Sequence, residues 1–181
     1  MLEADRQILE SLYTIRDLDT TLSLITLTQL GSTLVIGGIA LSVALYLLVR
    51  KRLSYLAGLS VSVIGTIIAV FPLKMFIARA RPDIAFQAYA ETGFSFPSGH
   101  AAFSVALFGF LAYLVWRRVS RTHGIIGSAF ALLLVSLIGF SRLYLGLHFA
   151  SDVLAGFGIG ALFLTLGIIV SERLRRTRWW F

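Results

Sequence analysis

The chain of 181 residues contains no cysteine. That excludes disulfides and thiolate metal centres at once. Charge is scarce as well: 14% of residues are Asp, Glu, Lys or Arg, against 57% hydrophobic, and the mean hydropathy is +0.87. A water-soluble domain has no means of hiding so much apolar surface, so the composition points to a membrane-embedded chain. No polar linker is long enough to separate domains and no repeat is visible, so residues 1–181 read as one domain. A basic start followed by a compact apolar run is also missing, and a signal peptide is not expected.

The charge that is present is unbalanced, with a net value of +7. Most of it falls in short clusters between apolar runs, as loop charges do in membrane proteins, so no nucleic-acid partner is expected. Charge-free intervals mark five spans: residues 20–49, 53–73, 101–116, 124–141 and 153–171. A membrane helix needs about 20 mainly apolar residues, and the third interval reaches that length only if its helix starts near Ser98. The fold expected is an all-α membrane bundle of five transmembrane helices over residues 20–181. Residues 1–19 differ. Apolar Ile8, Leu9, Leu12 and Ile15 recur at helical spacing among Glu3, Asp5, Glu10 and Asp17, the pattern of an amphipathic helix lying in the interface.

Orientation follows from Lys and Arg. Five spans put the loops after spans 1 and 3 and the C-terminus on one side. That side carries Arg50, Lys51, Arg52, Arg117, Arg118, Arg121, Arg173, Arg175, Arg176 and Arg178, ten of the sixteen basic residues. By the positive-inside rule it is cytoplasmic, with Trp179 and Trp180 in the headgroup belt. The outer face holds Arg6, Arg16, Lys74, Arg79, Arg81 and Arg142. Four of these flank spans 2 to 4 against the trend, which calls for an anionic partner.

Alternating spans bring the end of span 2, the start of span 3, the end of span 4 and the start of span 5 to that same outer face. Lys74 and Arg81 are seven apart, near two helical turns, and so are expected on one helix face. Arg79 would be rotated away, to snorkel toward headgroups. Pro97-Ser98-Gly99-His100 reads as a helix start: Ser98 can cap it and Gly99 permits close approach. A helix N-terminus ringed by cations suits a multiply charged oxyanion. His148 and Asp152 are one helical turn apart, so the carboxylate can fix one imidazole nitrogen and free the other as base or nucleophile. His100 supplies a second imidazole. Only Asp83, Glu91 and Asp152 are near in acidic residues, fewer than a metal-dependent phosphatase normally needs. No cofactor and no metal ligand is therefore expected. His123, in the basic loop with no partner pattern, reads as a bystander. Gly156-x3-Gly160 reads as close helix packing inside the bundle. The aromatics Phe86, Tyr89, Phe94 and Phe96 either guide an acyl or prenyl chain or anchor the loop at the interface.

Lys74-x6-Arg81-Pro82, Pro97-Ser98-Gly99-His100 and Ser141-Arg142-x5-His148-x3-Asp152 resemble the three-part signature of the type 2 phosphatidic acid phosphatase superfamily, which also includes vanadium haloperoxidases and some soluble acid phosphatases. The resemblance covers roughly residues 53–171. It implies that His148 is the nucleophile on phosphorus and that Asp152 orients it. It implies that His100 protonates the leaving oxygen and then activates water. Lys74, Arg81, Ser98, the Gly99 N–H and Arg142 would hold the phosphate oxygens. Chemistry alone leaves open which histidine attacks; the Asp152 spacing favours His148, and the family pattern selects it. Many membrane members of the family have six spans, and here an amphipathic segment stands in place of the first.

The function expected is a lipid phosphatase of the cell (inner) membrane, acting on the extracytoplasmic face through a phosphohistidine. Its partners would be the bilayer and a lipid phosphate. Phosphatidylglycerol phosphate, phosphatidic acid and a polyprenyl diphosphate stay open as substrates, and the oligomeric state is not legible. A lipid phosphotransferase with the same intermediate, or a non-catalytic anionic-lipid binding or transport protein, are the competing readings.

Overall fold

The computed structural model describes residues 3–177; Arg178, Trp179 and Trp180, assigned above to the cytoplasmic side, lie outside them. Among the described residues all regular structure is helical. The helices are α1 (Glu3–Thr14), α2 (Leu18–Thr28), α3 (Thr33–Val49), α4 (Leu53–Ile77), α5 (Gly99–Trp116), α6 (Arg121–Tyr144) and α7 (Ala150–Thr177). Short 3₁₀ turns occupy Gln29–Gly31 and Ile84–Phe86. Helices α4 to α7 are each long and apolar enough to cross a membrane.

The first expected span, residues 20–49, is not one straight helix and counts as a fifth crossing only when its two bent segments are taken together. Segment Leu18–Gly31 and helix α3 are bent by 42° where they meet. A straight helix over residues 20–49 would be about 45 Å long, well beyond the hydrocarbon core of about 30 Å. The break falls at Gly31-Ser32. Ser32 is extended (φ −66°, ψ 150°), and its Oγ accepts from Val35 N at 3.3 Å, starting α3 afresh. Helix α5 begins at Gly99 with Ser98 as its N-cap residue, as the length of that span requires.

Large apolar side chains turn outward along these helices; Leu34 and Phe76 are 87% and 88% exposed. Such a surface is a liability in water and the ordinary lipid-facing wall of a bundle. The inner side packs Ile36, Leu47, Leu59, Val63, Val70, Phe103, Leu107 and Phe110 into one core joining α3, α4 and α5. Helix α7 closes against α5 through small residues. A Cβ on Gly156 would stand 2.5 Å from the Ser98 carbonyl oxygen, and one on Gly160 would strike the Ala102 carbonyl. The Gly156-x3-Gly160 pair is therefore spent on packing inside the bundle.

Two helix ends aim the chemistry. Helix α4 stops at Ala78, which is left-handed (φ 48°) with its N–H on the Lys74 carbonyl at 3.0 Å. Arg81 is therefore not on the same helix face as Lys74, as the spacing suggested; it follows a chain reversal, and Pro82 holds it out of the helical region. Helix α6 ends in a Schellman turn. Gly146 is left-handed (φ 68°), Gly146 N donates to Leu143 O at 2.9 Å, and Leu147 N donates to Arg142 O at 3.1 Å. That turn delivers His148 two residues beyond the glycine.

Helix α1 is formed as expected, but its burial differs from a simple interfacial stripe. Leu9 is buried and Leu12 packs against Leu24, Tyr144, Leu145 and Leu147, while Ile8 and Ile15 are exposed. Asp5, which the sequence placed among the solvated acids, is only 3% exposed. The inner face of α1 thus brings a carboxylate to the start of α7.

Candidate active site

Lys74, Arg81, Glu91, Gly99, His100 and His148 line one small cavity of about 140 Å³, together with Thr33, Val70, Phe71 and Phe103. A larger, apolar groove of about 380 Å³ runs between α5, α6 and α7 and carries none of these groups. Ser98, Arg142 and Asp152 complete the set of eight, each fully buried: Ser98 adjoins Gly99, Arg142 binds Glu91 and Asp152 lies against His148. All eight residues singled out in the sequence therefore gather at the convergence of four helix ends. His123 is exposed elsewhere, beside Ser120 at 2.7 Å.

His148 is 2% exposed. Its Nε2 lies 3.2 Å from Arg81 Nη1. A guanidinium only donates, so that contact makes Nε2 the unprotonated nitrogen and leaves the ring proton on Nδ1. Nδ1 faces Asp152 Oδ2 at 3.5 Å and Ser95 Oγ at 3.4 Å, and the Ser95 hydroxyl donates to the same Asp152 oxygen. Ser95 thus sits between the two residues the sequence paired directly. Phe149 N also donates to Asp152 Oδ2, at 2.9 Å. Burial pushes the His148 imidazole down to about 4; Asp152 opposes this, and Arg142 and Arg81 reinforce it.

The cations are held by carbonyls, by hydroxyls and by one carboxylate. Lys74 Nζ donates to Phe94 O at 2.7 Å. Arg81 donates to Gly93 O at 3.1 Å and Leu147 O at 2.8 Å. Arg142 donates to Thr28 Oγ1 at 3.3 Å and to Tyr89 Oη at 3.1 Å, with its Nε buried and unpartnered. Glu91 bridges the two guanidinium groups: Oε1 accepts from Arg81 at 3.0 Å, and Oε2 accepts from Arg142. Burial raises the Glu91 pKa, but Arg142 and Arg81 outweigh it and hold the carboxyl below its usual range.

The start of α5 is left open. Ser98 N donates to Asp152 O at 3.0 Å, while its buried Oγ has no hydrogen-bond partner. The expected side-chain cap is not made. The first-turn N–H groups and this hydroxyl remain for an anion.

Arg79 departs most from its expected place. It donates to Asp152 Oδ1 at 2.7 Å, Ser151 Oγ at 2.7 Å and Asp5 Oδ2 at 2.8 Å, and stacks on the Phe149 ring at 4.2 Å. Paired carboxylates inside the protein outcompete headgroups for it. Asp83, counted among the nearby acids, instead caps the 3₁₀ turn by accepting from Ala85 N at 2.9 Å. Sequence reasoning missed Ser95 and Thr28, and it gave Tyr89 and Asp5 other roles, one as a loop aromatic and the other as part of an amphipathic pattern. Only Ser95, a hydroxyl inside an aromatic run three residues ahead of Ser98, offered a local signal. Among the described residues no three His, Asp or Glu side chains are arranged to hold a metal ion.

The chain matches the PAP2 superfamily over residues 55–176. It belongs to that superfamily. The matched segment contains all eight site residues, whereas Asp5 precedes it. Phosphatidylglycerophosphatase B of Bacillus subtilis is 37% identical over 108 residues, 59% of this chain and 53% of that protein. Decaprenylphosphoryl-5-phosphoribose phosphatase of Mycobacterium tuberculosis is 32% identical over 126 residues, 68% of this chain and 63% of that protein. The matches thus span less than two thirds of these curated relatives. The crystal structure of the transmembrane PAP2-type phosphatidylglycerolphosphate phosphatase from Bacillus subtilis superposes with a TM-score of 0.87 at 30% identity, covering 97% of this chain and 88% of that one. Aquifex aeolicus LpxE superposes with a TM-score of 0.72 at 23% identity over 95% and 99% of the two chains, a likeness of fold.

Proposed function

We propose that this PAP2 chain is a membrane lipid phosphatase that hydrolyses a phosphomonoester or diphosphate headgroup through a phosphohistidine. The observation that carries the reading is the 3.2 Å approach of Arg81 Nη1 to His148 Nε2, from which the tautomer follows. The unprotonated Nε2 faces a cavity edged by Lys74, Arg81 and the open start of α5.

In the first step His148 Nε2 donates its electron pair to phosphorus and the P–O bond to the lipid breaks. His100, entering the step as the imidazolium, gives its extra proton to the departing oxygen and is left neutral. Lys74, Arg81, Arg142 and the Ser98–Gly99 end of α5 neutralise the equatorial oxygens, which is where such a reaction gains most. Asp152, working through Ser95, stabilises the imidazolium. In the second step His100 takes a proton from water, whose oxygen attacks phosphorus. The P–N bond breaks, and its electrons return to Nε2. The distribution of Lys and Arg supports an extracytoplasmic site and a cytoplasmic C-terminus. The named relatives support phosphatidylglycerol phosphate and prenyl-linked phosphates as first substrates to try.

The test is phosphate release by purified protein from a panel of lipid mono- and diphosphates, with and without chelator. Release is expected to persist with chelator and to vanish in His148→Ala. Unchanged release by that variant, or abolition by chelator, would overturn the mechanism.

A further inference from the structure

We propose that Asp5, supplied by α1 from outside the family segment, is a positioning residue of the active site: it offsets the charge of Arg79, so that Asp152 remains effectively anionic behind His148. The proposal rests on the phosphohistidine reading above.

Arg79 lies between two buried carboxylates. Its Nη2 meets Asp5 Oδ2 at 2.8 Å and its Nη1 meets Asp152 Oδ1 at 2.7 Å. The other oxygen of Asp152 is the one turned to Ser95, Phe149 N and His148 Nδ1. Asp5 and Asp152 are 3% and 0% exposed and the Arg79 side chain between them 21%, so water screens the two carboxylates little and the guanidinium in part. Asp5, Arg79 and Asp152 together carry one negative charge. Without Asp5 the remaining pair would be neutral.

Attack on phosphorus makes the His148 ring positive. The groups facing that ring are Arg142 from α6, Lys74 from α4 and Arg81 beyond it, Glu91 from the loop, His100 from α5 and Asp152 from α7. Three of them are fixed cations and oppose an imidazolium. Glu91 also acts on the ring, but it is bonded to both arginines, so its charge is set mainly against theirs. The negative charge behind Nδ1 must therefore come from Asp152, and Arg79 would cancel it if Asp5 did not take up the other side of the guanidinium.

Asp5 has a structural bond too. Its Oδ1 accepts from Ser151 N at 2.9 Å and its Oδ2 from Ser151 Oγ at 2.6 Å, which caps the first turn of α7. Capping and charge balance make opposite forecasts for one double variant. Asp5→Asn alone leaves Arg79 on Asp152 and removes the net charge. Asp5→Asn/Arg79→Gln restores it, although it disrupts the contacts further.

The experiment measures kcat and KM for phosphate release by the full chain in detergent. Activity of the parent and its loss in His148→Ala come first, and their absence would count against the phosphohistidine reading alone. With these in hand, Asp5→Asn is expected to lower kcat about tenfold or more, worth about one pKa unit of imidazolium stabilisation, with KM within about threefold. The double variant is expected to recover kcat about threefold or more over Asp5→Asn, a non-additivity that a capping role does not produce. A kcat for Asp5→Asn within about twofold of the parent, or a double variant no faster than the single, overturns the proposal. Should Asp5→Asn not accumulate as folded protein, the double variant is read against the parent: a kcat within about tenfold supports the charge account and a larger loss overturns it.

Discussion

The Glu91 carboxylate rests directly on the guanidinium of Arg142, a residue with no exposure at all, and its second oxygen reaches Arg81 at 3.0 Å. A lone guanidinium in that position would be costly, so Glu91 serves as an internal anion at the place where the proposed mechanism puts substrate oxygens. Glu91→Gln is expected to lower the thermal unfolding temperature in phosphate-free buffer. Inorganic phosphate should then raise it by more than in the parent, because phosphate takes over the vacated role. The comparison is two thermal unfolding series over phosphate concentration, and parallel series would refute the substitution of one anion for another.

Ser95 carries the second expectation. Its hydroxyl donates to Asp152 and stands 3.4 Å from His148 Nδ1, beside a direct carboxylate–imidazole approach of 3.5 Å, both at the limit of a hydrogen bond. Ser95→Ala removes the bridge without adding bulk. It is expected to reduce kcat about tenfold at nearly unchanged KM, since the loss of about 1.4 kcal/mol falls on the transition state. A rise in KM with kcat preserved would instead assign Ser95 to substrate binding.

The spans could be read from sequence because lipid demands unbroken apolar runs between charges. The convergence of the eight site residues could be read because counting spans puts the helix ends that carry them on one side of the bundle. The overlong interval 20–49 also held its own warning, and Gly31-Ser32 marks the break. Arg81 was placed wrongly because Ala78 ends α4 in a left-handed conformation that non-glycine residues seldom adopt. Arg79 and Asp5 are 74 positions apart, and no local pattern announces their pairing. Glu91 was visible as a nearby acid, but its bridging of Arg81 and Arg142 depends on the path of an irregular loop.

The pH dependence follows from His148, which lies between α6 and α7. Burial lowers its pKa to about 4. In the mechanism proposed above His148 attacks unprotonated, so its contribution to competence is present above about 4 and is lost as pH falls through that value. A phosphomonoester has its own ionisation near pH 6, and kcat/KM should therefore be corrected for the dianion fraction. The corrected acid limb is expected well below the ordinary histidine value of about 6.5. A corrected limb at that ordinary value would mean that His148 is far more hydrated than its burial implies.

The Schellman turn after α6 gives the last expectation. Gly146 needs its left-handed φ of 68°, and a Cβ there would run into the Phe86 carbonyl, which Arg16 also binds at 2.8 Å. Gly146→Ala therefore carries a backbone cost of about 1–2 kcal/mol besides the collision. Because His148 is two residues on, relief of the clash must shift the imidazole against Arg81. Gly158, inside α7, has open space around its missing Cβ and is exposed. Gly158→Ala should be neutral or stabilising by up to about 1 kcal/mol. Thermal unfolding and phosphate release measured side by side should separate the two variants, with Gly146→Ala losing both stability and turnover. If the two alanines behave alike, the turn does not aim His148.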